Sequence, residues 1–179
     1  MFKNYWESDR LIFSEFSDDE AALAKYIFDK NSNIKVFDPT FRDWPLSVYE
    51  ELIGKSKSHK SPDDIEAFYL RKITTKEHQE IGYIQIEINA PKIEMAWIPM
   101  LCIIPEHQGS GFGREIVEST IREISAYNKF KEVGLNVYAE NIKAFRFWFH
   151  CGFNEIRGFE QEAALGHKHN CLVLYRRLE

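Results

Sequence analysis

The spacing of apolar residues changes several times along the chain, and each change marks an element. Leu11 to Phe16 reads as a strand, and Ser17-Asp18-Asp19-Glu20 as a capping box opening a helix that runs to Asp29. Residues 31–45 read as a loop and Leu46 to Ser56 as a second helix, ended by Gly54 and the polar stretch through Pro62. Ile65 to Ile73 is a strand, followed by a polar turn. In the next strand, Ile81 to Asn89, residues Ile84, Ile86 and Ile88 share one face and Gln85 and Glu87 the other. Ile93 to Ile104 is a longer strand that must bulge or splay at Pro99, because proline cannot donate to a ladder. Ser110 to Lys129 is a helix with Ile116, Val117, Ile121, Ile124 and Tyr127 on one stripe. Val133, Leu135 and Val137 mark a strand. Asn141 caps a helix to His150, with Gly152 as its stop, and Phe153 to Gln161 and His169 to Arg177 close the chain as strands.

The resulting order is β-α-α-β-β-β-α-β-α-β-β. Strands joined by short turns pair antiparallel, whereas the strand–helix–strand passages after Ile93 need crossovers. The fold class is therefore α/β (α+β), a mixed, mostly antiparallel sheet flanked by helices.

Composition narrows the picture. A chain of 179 residues and 21.1 kDa is long enough for one full core, so residues 1–179 read as a single domain. The net charge of −5, with no basic run, argues against nucleic acid and slightly favours a cationic or neutral substrate. Three scattered cysteines fit a reduced compartment. No apolar leader precedes Arg10, and Pro99 breaks the longest apolar run, so neither a secretory signal nor a membrane span is expected and a cytoplasmic location is.

The chemistry concentrates after the long strand. Gln108-Gly109-Ser110-Gly111-Phe112-Gly113-Arg114 leads directly into a helix. Glycines let the backbone turn tightly against a ligand, and the free N–H groups of a helix start attract an anion. A phosphate loop of the Lys-Ser/Thr type fails, because Arg114-Glu115 follows the last glycine. A dinucleotide fingerprint fails too, because its third glycine would fall at Arg114. Coenzyme A is the remaining anionic candidate.

Pro105 to Gly113 resembles the Q/R-x-x-G-x-G/A acetyl-CoA signature of the GNAT superfamily of N-acetyltransferases. Asn141-Ile142-Lys143-Ala144, Trp148 and Cys151-Gly152-Phe153 resemble that family's N-x-x-A…Y…G-F segment. The element order matches as well, and Arg10-Leu11-Ile12-Phe13 before an acidic helix is similar to the ribosomal-protein N-terminal acetyltransferase branch. The resemblance implies a GNAT-type sheet with a splayed central strand. It also implies acetyl-CoA as cosubstrate, no metal, and transfer of acetyl to a primary amine by direct attack. It assigns Leu101 and Ile103 to pantetheine pairing, with the Leu101 N–H polarising the thioester. Gln108, Gly109, Ser110, Gly111, Phe112, Gly113 and Arg114 would cradle the pyrophosphate. Asn141, Ala144, Phe145 and Trp148 would line the pantetheine arm, and Asn141 can also serve as a plain helix cap.

The family's tyrosine, a proton donor to the leaving thiolate, is Trp148 here. An indole is no useful acid, but a thiol of pKa near 8.5 leaves tolerably without one. For a general base, Glu94 is the nearest acid on the long strand; Glu140, His107 or a chain of waters are alternatives. His167, His169 and Cys171 alternate as a metal half-site would, without a matching partner cluster. The acceptor is expected to be a small-molecule or peptide amine, held under the loop Phe37 to Trp44 with Asp38 and Asp43, and the protein a monomer or homodimer. A non-catalytic acyl-CoA-binding sensor with the same fold is the alternative function.

Overall fold

The computed structural model describes residues 2–36, 41–58, 66–164 and 167–178, with the backbone alone at 160, 162–164 and 167–169. The strands are β1 (Tyr5–Glu7), β2 (Leu11–Ser14), β3 (Ala67–Thr75), β4 (Glu80–Ile88), β5 (Met95–Ile103), β6 (Glu132–Tyr138), β7 (Glu155–Ala164) and β8 (His167–Arg177). The helices are α1 (Ala21–Asp29), α2 (Leu46–Ser58), α3 (Phe112–Ser125) and α4 (Ile142–His150). The strands form one sheet in the order β1-β2-β3-β4-β5-β6-β8-β7. Every neighbouring pair is antiparallel except β5–β6, which is parallel because α3 crosses between them. The expected mixed, mostly antiparallel class is what forms.

Apolar residues cover both faces. One core gathers Ile84, Ile86 and Ile88 of β4 with Ile116, Val117, Ile121 and Ile124 of α3 and Trp148 of α4. The other packs Ala24, Ile27 and Phe28 of α1 and Tyr49 and Ile53 of α2 against Phe68, Leu70 and Tyr83.

The decisive irregularity lies in β5. Gln85 pairs with Met100 but Glu87 pairs with Trp97, so Ile98 and Pro99 together face Ile86. This is a β-bulge, and it reverses which residues face which side. Before it, Ala96 and Ile98 enter the α3 core; after it, Cys102 and Ile104 enter the α1–α2 core, and Leu101 and Ile103 take the α3 side. The β5–β6 ladder covers only Met95–Trp97 against Glu132–Gly134, after which the two strands part. The bulge and splay expected from Pro99 are therefore both present.

Several boundaries differ from the sequence reading. β1 was not expected; it is held by Trp6, buried and stacked on Phe13 at 4.6 Å. Gly54 does not stop α2, which continues to Ser58. The capping box forms by half: Glu20 accepts from the Ser17 N–H at 2.8 Å, but the Ser17 hydroxyl turns to Asp19 rather than to the helix. α3 begins at Phe112, behind the left-handed Gly111, and ends at Ser125. α4 ends as expected. Gly152 has φ +86°, its N–H meets the Phe149 carbonyl, and the Phe153 N–H meets that of Trp148, a Schellman closure.

Candidate functional site

The parting of β5 and β6 opens a cleft in the sheet. Backbone direction explains why it is chemically useful. The Ile104 N–H donates to the Ile81 carbonyl on β4 at 2.8 Å. Backbone groups alternate sides along a strand, so Cys102 turns to β4 with Ile104, while Leu101 and Ile103 turn toward the gap. Gly82 permits the close approach of Cys102, since a Cβ there would lie 2.2 Å from the Cys102 carbonyl oxygen. The Ile103 carbonyl is met instead by a side chain, Nε2 of Gln108, at 2.9 Å.

One half of the cleft, about 420 Å³, lies against the glycine loop. Leu101, Ile103, Gln108, Gly109, Gly111, Gly113, Arg114, Asn141, Ala144 and Trp148 line it, together with Lys143, Phe147 and Asn31. Its described lining carries two cations and no carboxylate, which suits an anion at the α3 N-terminus. Gly109 and Gly111 have φ of +82° and +86°, so the turn depends on them. A Cβ at Gly113 would come within 3.0 Å of the Phe147 ring.

The other half, about 330 Å³, is lined by Phe28, Phe41, Ile98, Met100, Tyr138 and Cys171 among others, and it shares Asn31, Ile34, Leu101, Asn141, Ala144 and Trp148 with the first. Leu101 and Trp148 thus stand where the halves meet. No charged side chain lines this second half among the described residues. Phe41 stacks on Phe28 at 4.6 Å and 5°. Asn31, almost fully buried, donates to the Ile27 carbonyl at 3.0 Å and accepts from Gln108 at 3.2 Å, tying α1 to the glycine loop.

Several expected site residues lie elsewhere. Glu94 precedes β5, is paired with Lys131, and stands seven residues from Leu101, roughly 20 Å along an extended chain. It lines neither half and is out of reach as a base. Glu140 is exposed outside the lining, and His107 packs against Phe112 at 6.3 Å. Ser110 donates to the His107 carbonyl at 2.8 Å. Phe112 lies under the Arg10 guanidinium at 4.4 Å, and Phe145 pairs with Phe149; neither is in the lining. The aromatic that joins Trp148 in this lining from α4 is Phe147, which lies three residues after Ala144 and sets its ring against Gly113. Asp43 binds Lys25 rather than the cleft, and Phe37 and Asp38 lie outside the described residues. The side chains of His167 and His169 also lie outside them; among the described residues no cluster could hold a metal.

Asn141 does what a cap does, its Oδ1 accepting from the Ala144 N–H at 3.0 Å. Burial pushes the Cys102 thiol up to about 12 against a weaker opposing hydrogen bond from Tyr83, so it is no nucleophile near neutrality. Trp148 is buried, with its ring 5.3 Å from Phe153 and 5.0 Å from Phe147.

Comparison with known proteins points the same way. The acetyltransferase (GNAT) family matches residues 31–153. A spermidine N(1)-acetyltransferase of Vibrio cholerae serotype O1 is 28% identical over 134 residues, 73% of each chain. The crystal structure of spermidine N-acetyltransferase from Vibrio cholerae with CoA and spermine superposes with TM-score 0.75 at 22% identity, over 95% of this chain and 96% of that one. An acetyltransferase of the GNAT family from Bacillus anthracis superposes with TM-score 0.76 at 12% identity, over 97% and 98%.

Proposed function

From the premise that this chain belongs to the acetyltransferase (GNAT) family, we propose which residues carry the reaction and which amine receives the acetyl group. The chain is an acetyl-CoA-dependent N-acetyltransferase acting on a primary amine, which sets aside the non-catalytic alternative. One observation carries the site assignment: the backbone of Leu101 and Ile103 faces the gap between parted strands, and a cationic glycine loop closes one end. In this reading the diphosphate of acetyl-CoA lies on Gly109 to Arg114, and the pantetheine arm follows β5 past Asn141 and Ala144. The thioester then reaches Leu101, beside Trp148.

There the amine lone pair attacks the thioester carbonyl carbon. The Leu101 N–H stabilises the oxygen as it gains negative charge. The tetrahedral intermediate collapses by breaking the C–S bond, the thiolate leaves, and the ammonium proton passes to solvent or to the thiolate. No side chain is asked to act as acid.

The acceptor lies in the second half, in this reading. A lysine-like amine of pKa about 10.4 costs roughly 4.6 kcal/mol to deprotonate at pH 7, an α-amine of about 7.7–8.0 only ~1–1.4. With no described carboxylate in that lining to serve as base or to hold a second cation, the site favours a peptide N-terminus or small α-amine over a polyamine or lysine side chain. The test is kcat/KM at pH 7 and pH 9 for matched α- and ε-amines, with spermidine in the same panel. Preference for the ε-amine or for spermidine at pH 7 would overturn the acceptor assignment.

A further inference from the structure

Arg10, in the turn between β1 and β2, lies outside the cleft lining, yet each of the side-chain contacts described here falls within residues 110–115. Its Nε donates to Glu115 Oε2 at 2.7 Å and its Nη1 to the Ser110 carbonyl oxygen at 3.2 Å. Its guanidinium lies over the Phe112 ring at 4.4 Å. Its own backbone N–H and the Ser8 hydroxyl both donate to Glu115 Oε1, at 2.8 and 2.7 Å. The N-terminal turn therefore grips the glycine loop from behind.

Two consequences follow from elementary geometry and charge. The Ser110 carbonyl and the Gly111 N–H belong to one planar trans peptide, so they point in opposite directions. Drawing the carbonyl outward to Arg10 aims the Gly111 N–H away from Arg10, toward the cleft that Gly111 lines. Glu115 places a negative charge in the first turn of α3, close to the helix end that should receive an anion. Arg10 pairs with that carboxylate and offsets its repulsion.

We propose that Arg10 is a positioning residue for the diphosphate of acetyl-CoA, acting through the loop rather than by touching the cofactor. The inference rests on reading Gly109 to Arg114 as the diphosphate site. It predicts a loss that depends on the phosphates of the donor. Acetyl-pantetheine carries the same thioester and arm without the diphosphate, so it separates loop geometry from general damage.

The experiment measures calorimetric CoA affinity and steady-state kinetics with both donors for wild type, Arg10→Ala, Arg10→Lys and Arg10→Ala/Glu115→Gln. Arg10→Ala is expected to weaken CoA binding and raise KM for acetyl-CoA by roughly tenfold to a hundredfold, the span of one charge-assisted hydrogen bond. Its kcat should stay within about threefold, and kcat/KM with acetyl-pantetheine should not change. Arg10→Lys should recover part of the affinity through charge alone, and adding Glu115→Gln to Arg10→Ala should also recover part. An unchanged KM for acetyl-CoA, or equal losses with both donors, would overturn the proposal. Wild-type protein that fails to bind CoA would remove the loop assignment itself, and that result appears before any variant is made.

Discussion

The side-chain amide of Gln108 is hydrogen-bonded to the carbonyl oxygen of Ile103 at 2.9 Å, across the mouth of the cleft between β5 and the glycine loop. That carbonyl is one a pantetheine amide N–H would take in an extended pairing with β5. Gln108 occupies the position a cofactor donor needs, and its Oε1 is itself reached by Lys143 Nζ at 3.4 Å.

Gln108→Ala should accordingly leave CoA affinity within about threefold or tighten it, since one hydrogen bond to the protein is exchanged for another on binding. Calorimetric titration with CoA measures this directly. A loss beyond tenfold would show that the Gln108 side chain contacts the cofactor.

At Gly111, with φ +86°, a side chain strains the turn, and an aspartate also sets a negative charge beside the diphosphate. Wild-type protein at ~100 times the CoA dissociation constant should gain about 2.7 kcal/mol of stability, seen as a rise in Tm. Gly111→Asp should show almost none of it. An undiminished ligand shift in this variant would remove the loop from the site.

Trp148→Phe should keep most of the activity, because the indole supplies no proton. The smaller ring should cost about 1–3 kcal/mol of stability through lost packing on Phe147 and Phe153. Trp148→Tyr should equal or exceed the wild-type rate if its phenol reaches the thiolate. A thousandfold fall for Trp148→Phe, with fold and CoA binding intact, would assign the indole a chemical role.

The pH dependence of stability should carry the mark of Glu115. Burial pushes its carboxyl up, but the Arg10 amide, the Ser8 hydroxyl and the Arg10 guanidinium outweigh burial and hold it below its ordinary value. The folded state thus binds that proton less readily than the unfolded chain. The stabilisation is fully present above the ordinary carboxylate range and is lost as pH falls through the lowered value. Glu115→Gln should melt below wild type at pH 7, with the gap closing on acidification. A gap that stays constant to pH 3 would show that the charge contributes nothing.

What was legible in the sequence follows from the range of each signal. Pro99 announced its bulge because a missing N–H is a local fact. Gly152 and Asn141 announced the two ends of α4 for the same reason. Phe147 is not legible in this way: Asn141, Ala144, Phe145 and Trp148 fall at the i, i+3, i+4, i+7 spacing of one helix face, which selects Phe145, whereas Phe147 enters the lining through its contact with the glycine loop at Gly113. Glu94 is the nearest acid in sequence, but an extended chain rises about 3.3 Å per residue, so seven residues put it roughly 20 Å from Leu101. Asn31, Ile34 and Phe41 come to the cleft from the stretch that reads as a loop, in which Ser32–Val36 forms a 3₁₀ turn too short to show a period. Arg10 meets Glu115 across 105 positions, and no local pattern encodes that contact.

The extra residue at Ile98 and Pro99 works on β5 as a change of reading frame works on a message. Upstream, the strand is spelled for the sheet; downstream, the same alternation is spelled one letter later, and its spare backbone groups face the gap. Substituting Pro99 changes a letter and leaves the frame, so the fold should tolerate it. Deleting Pro99 would send Cys102 and Ile104 to the side that Leu101 and Ile103 now occupy, and would turn the backbone of Leu101 toward β4. Core and cleft would fail together, so at this position catalytic loss cannot be obtained by deletion while the fold is kept.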